Sequence, residues 1–344
     1  MNHSSRLRIV LVGFGSAGQG LVHILARSHS WISAQHHTDL RIVGVATRSR
    51  GTVYNASGLN PATLLEHMQL NNSFNKHPDS SDWDTGALLE HAEADALVEV
   101  SPTALQTAEP ATQYIHKAFS RGWHVVTANK GPVARYYNAL RHIADTSGLY
   151  FGIEGTVMSG TPALRMCSSN LSGGEIHELR GIVNGTTNYI LTQMEQGLSY
   201  SDALAEAQRL GYAEADPSGD VEGHDAAGKA VILANVLMDA DLKPEDVQRE
   251  GITGISAEMV GQAQQAGERW KLIAHVWREG QQVHAQVQPM RLPLSHPLAG
   301  VSGATNALTA STEWLGDVTI IGPGAGSQAT GFALLSDLLA IGKR

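Results

Sequence analysis

Cysteine is nearly absent: Cys167 is the only one in 344 residues. No internal disulfide framework can form, and a zinc centre built on several thiolates is excluded. Basic residues are the scarcer charge, 24 Lys and Arg against 33 Asp and Glu, for a net charge of -9. That balance argues against non-specific nucleic-acid binding, which needs a basic surface. No apolar run approaches the roughly 20 residues that cross a bilayer. The opening MNHSSRLRIVLVGFG runs straight into a strand and shows no signal-peptide pattern, so the cytoplasm is the expected compartment. Nor is there an HExxH or a paired His/Cys spacing of zinc type among the 16 histidines. His36 and His37 fall in a polar insertion, SHSWISAQHHTD, and read as solvated loop residues.

What is present suits a two-domain globular protein with a large core: 42% hydrophobic and 17% charged residues. The apolar run RIVLV ends in GFGSAGQG, giving Gly13-x-Gly15-x-x-Gly18, and the helical pattern LVHILA follows. A lone GxGxxG is weak evidence, but here a strand precedes it and a helix follows. In that setting Gly13, Phe14, Gly15, Ser16, Ala17 and Gly18 form a turn whose backbone can approach a pyrophosphate at a helix N-terminus. A second strand, LRIVGVAT, ends in Thr47-Arg48-Ser49-Arg50 with no acid to take ribose hydroxyls. Arg48 and Arg50 suit a 2′-phosphate, so NADP is expected over NAD.

Strand–helix alternation continues through GLNPATLLEHM, ADALVEVSPT, TAEPATQYIHKAFSRG, WHVVTANK and LYFGIEGTV. It predicts a Rossmann-type, doubly wound α/β fold with a parallel sheet. Ser101 and Thr103 are placed at the end of one strand and Lys130 at the end of the next, on the carboxyl edge where such folds bind ligands. From about residue 155 the pattern becomes that of a second, α+β substrate domain with a mixed sheet and shorter strands around GQQVHAQVQPMRLP and LGDVTIIGPG. The expected divisions are 1–154 for dinucleotide binding, 155–322 for substrate and dimerisation, and 323–344 as a C-terminal helix packing back on the first domain.

The chain's chemistry concentrates between Gly181 and Ala234. Glu214, Asp220, Asp225 and Lys229 lie there among small and apolar residues. Asp225 and Lys229 are four apart at the start of HDAAGKAVILANVL, so they share one helix face. The plain reading is a surface ion pair. The apolar neighbours leave that helix little solvated face, however, and a lysine so placed needs a partner or a task. A lysine so placed can move a proton to or from a bound substrate, and acids beside it can hold a cationic group. The NGTT turn offers N–H groups to an anion.

Along nearly its whole length the chain resembles homoserine dehydrogenase. The resemblance is carried by GFGSAGQG, VVTANKGPVA, GTVMSGTPAL, NGTTNYIL, GYAEADPSGDVEGHDAAGK and the closing GPGAG…SDL. It implies an NAD(P)-dependent interconversion of L-homoserine and L-aspartate 4-semialdehyde in threonine and methionine synthesis, and a homodimer formed through the second domain. The length matches a short form of the family, without the C-terminal regulatory domain of longer members. By motif match Lys229 would transfer the proton, Glu214 and Asp225 would bind substrate, and Asp220 would lie in the same site. Asn184, Gly185, Thr186 and Tyr212 fall at substrate positions, Lys130 faces both ligands, and Gly211 and Gly326 lie near cofactor. The family's monovalent cation (sodium or potassium) would take Glu154, Val157, Ser159 and Thr161, although Met158-Ser159 replaces the usual glycines.

Other readings compete with this one. A semialdehyde dehydrogenase acting through a thioester would need a nucleophilic cysteine, and Cys167 in RMCSSN has no evident activating histidine. A sugar oxidoreductase with a similar first domain would leave GYAEADP…DAAGK unexplained. A non-catalytic nucleotide sensor would be expected to have lost a site group, yet Lys130, Glu214, Asp225 and Lys229 are all present.

Overall fold

A computed structural model describes residues 5–342. The chain divides into two compact units, one made of the segments up to Gly160 and from Gly326 onward, the other of Thr161–Ala325.

The first unit is built on a sheet that begins with β1 (Ser5–Val12), whose last four residues are all buried. α1 (Ser16–His36) follows, then β2 (Thr38–Ala46), β3 (Thr52–Tyr54), α2 (Pro61–Asn71), β4 (Ser80–Ser81), α3 (Thr85–His91) and β5 (Ala96–Glu99). α4 (Ala111–Ser120), β6 (His124–Thr127), α5 (Lys130–Thr146) and β7 (Phe151–Gly152) complete it. The strand order is β4-β3-β2-β1-β5-β6-β7. β1 is parallel to both β2 and β5, so strand order reverses at β1, and a doubly wound sheet opens its ligand crevice there. Apolar clusters cover both faces; the one that includes Leu11, Leu21 and Leu25 also takes in Leu334 and Leu338 of the closing helix Ser327–Ile341.

Several sequence expectations need correction in this unit. The polar insertion is the second half of α1: residues 21–36 contain no Gly or Pro, Ile32 is buried, and His36 lies in the last turn with His37 as the left-handed cap. The sheet is not wholly parallel, because β3 and β4 pair antiparallel at its edge. Lys130 does not end a strand; it opens α5, which Asn129 caps by accepting the N–H of Gly131 at 3.1 Å. In LYFGIEGTV only Phe151–Gly152 is extended, and Glu154–Thr156 turns as a 3-10 helix.

The second unit starts with α6 (Ala163–Arg165), which leads into a π-helical turn, Met166–Asn170. Then come β8 (Ile176–Ile182), α7 (Gly185–Glu195), α8 (Tyr200–Arg209), α9 (Ser218–Val221) and α10 (His224–Leu237). β9 (Gln248–Arg249), α11 (Ala257–Gln265), β10 (Glu268–Glu279), β11 (Gln282–Pro293), β12 (Thr305–Thr312) and β13 (Gly316–Pro323) finish it. The mixed sheet runs β13-β12-β8-β10-β11-β9. Its strands are not short: β10 and β11 form an antiparallel hairpin of 12 residues each. β10 and β12 are absent from the sequence reading because their apolar runs, RWKLIAHV and TNALTAST, lack clean alternation.

Candidate active site

In the first unit the glycine turn has the shape a dinucleotide needs. Gly13 sits at φ +103, and a Cβ there would lie 2.3 Å from the carbonyl oxygen of Val100. At Gly18 a Cβ would meet Gly13 O at 2.8 Å, which lets α1 press onto the turn. Nothing lies within 4 Å of a Cβ built on Gly15, so the backbone there is open to a ligand. Gly15 caps α1 without a side-chain bond, and the first turn carries no acid. An uncapped helix start of this kind attracts an anion, so the residues fit a pyrophosphate. Phe14 is buried, edge-on to Phe74 at 5.1 Å.

At the end of β2, Thr47 organises the loop: its hydroxyl donates to Gly51 O at 2.9 Å and accepts the N–H of Arg50 at 2.8 Å. Arg48 is exposed, whereas the half-buried Arg50 points Nη1 at the sulfur of Met68, 3.6 Å away. On the other side of the crevice Ser101 and Lys130 are half-buried and Thr103 is exposed. Gly326, at φ +127, precedes the closing helix.

The second unit assembles most of the polar residues singled out around Lys229. α10 starts after Gly223 and buries nearly everything from Ala226 to Asn235, Lys229 included. Lys229 is 7% exposed, and its Nζ donates to Val183 O at 2.7 Å and lies 2.8 Å from Asp225 Oδ2. That carboxylate oxygen also accepts Asn184 Nδ2 at 3.0 Å, and the same amide donates to Asp220 Oδ1 at 2.6 Å. Asn184 is at once the N-cap of α7, with Oδ1 accepting the N–H of Thr187 at 2.9 Å. Gly185 opens α7 against Ala304, whose carbonyl oxygen would be 2.7 Å from a Cβ. Thr186 is held by its hydroxyl, which donates to Tyr212 O at 2.6 Å.

Glu214 is not drawn into this network. It is exposed on the turn after α8, where its carbonyl accepts from Gln208 Nε2 at 3.0 Å. Tyr212 is 46% exposed, with its ring 4.9 Å from that of Tyr189. Gly211, at φ +78, ends α8 in the left-handed conformation that favours glycine.

Between Glu154 and Ser159 every residue but Gly155 is buried, and Glu154 N–H donates to Asp337 Oδ2 at 3.0 Å. Ser159 takes a left-handed φ of +52, which explains why glycine suits this position, and its hydroxyl lies 2.8 Å from that of Thr330. Thr161 donates its hydroxyl to Pro323 O at 2.9 Å. The buried carboxylate and the run of main-chain carbonyls are oxygen donors, which a hard cation takes. Among the described residues no three His, Cys, Asp or Glu cluster as a metal site. Cys167 is buried in the π-helical turn.

Sequence reasoning passed over some buried polar groups that shape these sites. Glu99 ends β5 fully buried, and Asn129 and Thr127 lie beside it. Behind α7, Lys271 has no exposed surface and donates to Asn188 Oδ1 at 3.2 Å, with Glu195 at 3.6 Å. Burial pushes the Lys271 ammonium below the ordinary lysine value, while Glu195 opposes the shift. The signal in each case is a charged residue inside an apolar strand, ALVEV and WKLIAHV.

A family model described as "Homoserine dehydrogenase" matches residues 162–339, and one described as "Homoserine dehydrogenase, NAD binding domain" matches residues 13–154. The NAD(+)-dependent homoserine dehydrogenase of Pseudomonas canavaninivorans is 42% identical over 337 residues, 97% of this chain and 96% of its own. The homoserine dehydrogenase of Methanocaldococcus jannaschii is 36% identical over 335 residues, 97% of this chain and 98% of its own. Among solved structures, a putative homoserine dehydrogenase from Archaeoglobus fulgidus superposes with a TM-score of 0.89 at 36% identity, covering 97% and 99% of the two chains. A hyperthermophilic archaeal homoserine dehydrogenase mutant in complex with NADPH gives 0.84 at 30% identity, covering 98% and 97%.

Proposed function

The chain belongs to the homoserine dehydrogenase family, and from that premise we propose which of its residues carry the reaction. The enzyme is an NAD(P)-dependent oxidoreductase that interconverts L-homoserine and L-aspartate 4-semialdehyde in threonine and methionine synthesis. When bound, the nicotinamide exchanges a hydride with the substrate's C4. The protein's own work is to hold the substrate and to move one proton.

Lys229 does the latter. A buried Nζ fixed by Asp225 and by the Val183 carbonyl is the observation that carries this assignment. In the reducing direction Nζ gives a proton to the oxygen that becomes the homoserine hydroxyl; in the oxidising direction Nζ takes it back. Asp225 keeps the amine in place, and Asn184 keeps Asp225 in place. Asp220, Asp225 and the more exposed Glu214 supply the negative charge that holds the α-ammonium group. The α7 start at Gly185–Thr186, backed by Tyr212, offers N–H groups to the α-carboxylate. On the cofactor side, residues 13–18 with Ser101, Lys130 and Gly326 of the first unit take the dinucleotide.

Arg48 and Arg50, with no acid at the end of β2, favour NADP over NAD. The test is turnover of homoserine with each cofactor, followed through the near-ultraviolet absorbance of the reduced nicotinamide. Arg48→Ala/Arg50→Ala should weaken NADP far more than NAD, and equal loss would refute the preference. The segment Glu154–Thr161 would hold sodium or potassium, so activity should rise when either salt replaces a tetraalkylammonium salt. A homodimer through the second unit's sheet predicts a dimeric mass at micromolar concentration; a monomeric mass would exclude it.

A further inference from the structure

Glu99 stands where the first unit's chemistry should gather, at the carboxyl end of β5 beside the point where strand order reverses. It is fully buried, so its carboxyl has no surface to offer a ligand. A buried carboxyl is costly, and an apolar residue of similar size would serve packing better. Burial pushes this acid above the ordinary range, against the bonds it accepts from Ser101, Thr127 and Asn129.

Those bonds form a closed ring. One carboxyl oxygen accepts both the N–H of Ser101, at 2.9 Å, and the Ser101 hydroxyl. The other lies 3.0 Å from the Thr127 hydroxyl at the end of β6. Thr127 Oγ1 accepts the N–H of Asn129 at 2.9 Å, and Asn129 Nδ2 returns to Ser101 O at 3.2 Å. Asn129 Oδ1 meanwhile caps α5, whose first residue is Lys130. The ring therefore ties the loop after β5 to the turn after β6. A dinucleotide lies across the reversal point with its adenosine half toward β2, which leaves the nicotinamide half on the β5–β6 side.

We infer that Glu99 is a positioning residue for the nicotinamide half of the cofactor, acting through Ser101 and Lys130. The inference rests on the reading of those two residues as cofactor-facing. Its test uses the full-length enzyme carrying Glu99→Ala, Glu99→Gln, Ser101→Ala or Lys130→Ala. For each variant kcat, the homoserine KM, thermal melting, and Kd for NADPH and for its 2′-phosphorylated ADP-ribose portion, which lacks only the nicotinamide, are measured. Misplacing a reacting group by an ångström-scale shift costs on the order of 10²-fold, so Glu99→Ala should lose about that in kcat and bind NADPH more weakly. Binding of the 2′-phosphorylated ADP-ribose and the homoserine KM should stay at wild-type values, and Glu99→Gln, which keeps one acceptor oxygen, should fall between.

Equal loss of binding for NADPH and for the 2′-phosphorylated ADP-ribose would mark Glu99 as a structural staple and overturn the inference. Should the alanine variant fail to fold, a Glu99→Gln enzyme equal to wild type in kcat and NADPH binding would do the same. If Ser101→Ala and Lys130→Ala are both silent, the cofactor reading falls and takes the inference with it. If they are damaging while both Glu99 variants are silent, only the inference falls.

Discussion

Asn184 carries two duties that a single substitution can separate. Its amide oxygen caps α7, and its amide nitrogen bridges Asp220 and Asp225. Asn184→Ala should cost about 1 kcal/mol through the lost cap and raise the homoserine KM. Asn184→Asp keeps a good capping oxygen but puts a like charge beside two carboxylates, so it should turn over more slowly than the alanine variant. Urea unfolding and steady-state kinetics on both would check this; an aspartate variant as active as wild type would remove Asn184 from the site. This double role was only partly legible beforehand. NGTT reads as a turn that offers N–H groups, although Asn184 in fact caps a helix that starts at Gly185, and the Asp225–Lys229 pair follows from helical spacing. That the amide would face both acids depends on how β8, α7 and α10 meet, which no local pattern states. Glu99 was missed for a related reason: an acid in ALVEV looks like an interruption of a strand until its bonds to Ser101 and Thr127 are seen.

At the scale of elements, α1 and the closing helix touch through glycine. A Cβ at Gly20 would stand 1.9 Å from Ser327 O, and one at Gly331 would stand 2.3 Å from the carbonyl carbon of Gly20. The close approach lets the Ser327 hydroxyl donate to Ser16 O at 2.6 Å, in the first turn of α1. Alanine at either glycine must push the helices apart, at about 1–3 kcal/mol for overpacking, and disturb the turn proposed to take the pyrophosphate. Thermal melting with and without NADPH should show a lower midpoint and a smaller shift on adding nucleotide; a wild-type response would contradict this packing. The elements most legible in sequence are those with strong punctuation, such as β1–Gly13–α1 and α8 closed by Gly211. Those least legible owe their state to partners: the short strand β3 pairs with β2, β4 pairs with β3 at the edge, and β10 is a strand because β8 and β11 flank it. The extension of α1 through the polar insertion depends on Ile32 finding the core.

Across the whole molecule the chemistry is divided between two compact units. One carries the glycine turn and the Glu99 ring; the other carries Asn184, Asp220, Asp225 and Lys229. Order of motifs along the chain made this division readable, since GxGxxG opens one unit and the acid–lysine run falls inside the other. The division has a direct consequence: loss of the proposed proton-moving group, Lys229, should cripple chemistry without touching nucleotide binding. The measurement is kcat and NADPH Kd for Lys229→Ala, with Lys229→Arg alongside because guanidinium does not release its proton near neutral pH. The account predicts a fall in kcat of roughly 10²- to 10⁴-fold for alanine, no rescue by arginine, and an unchanged Kd. A Lys229→Ala enzyme with near-normal kcat would contradict it and shift the proton-transfer role toward Lys130.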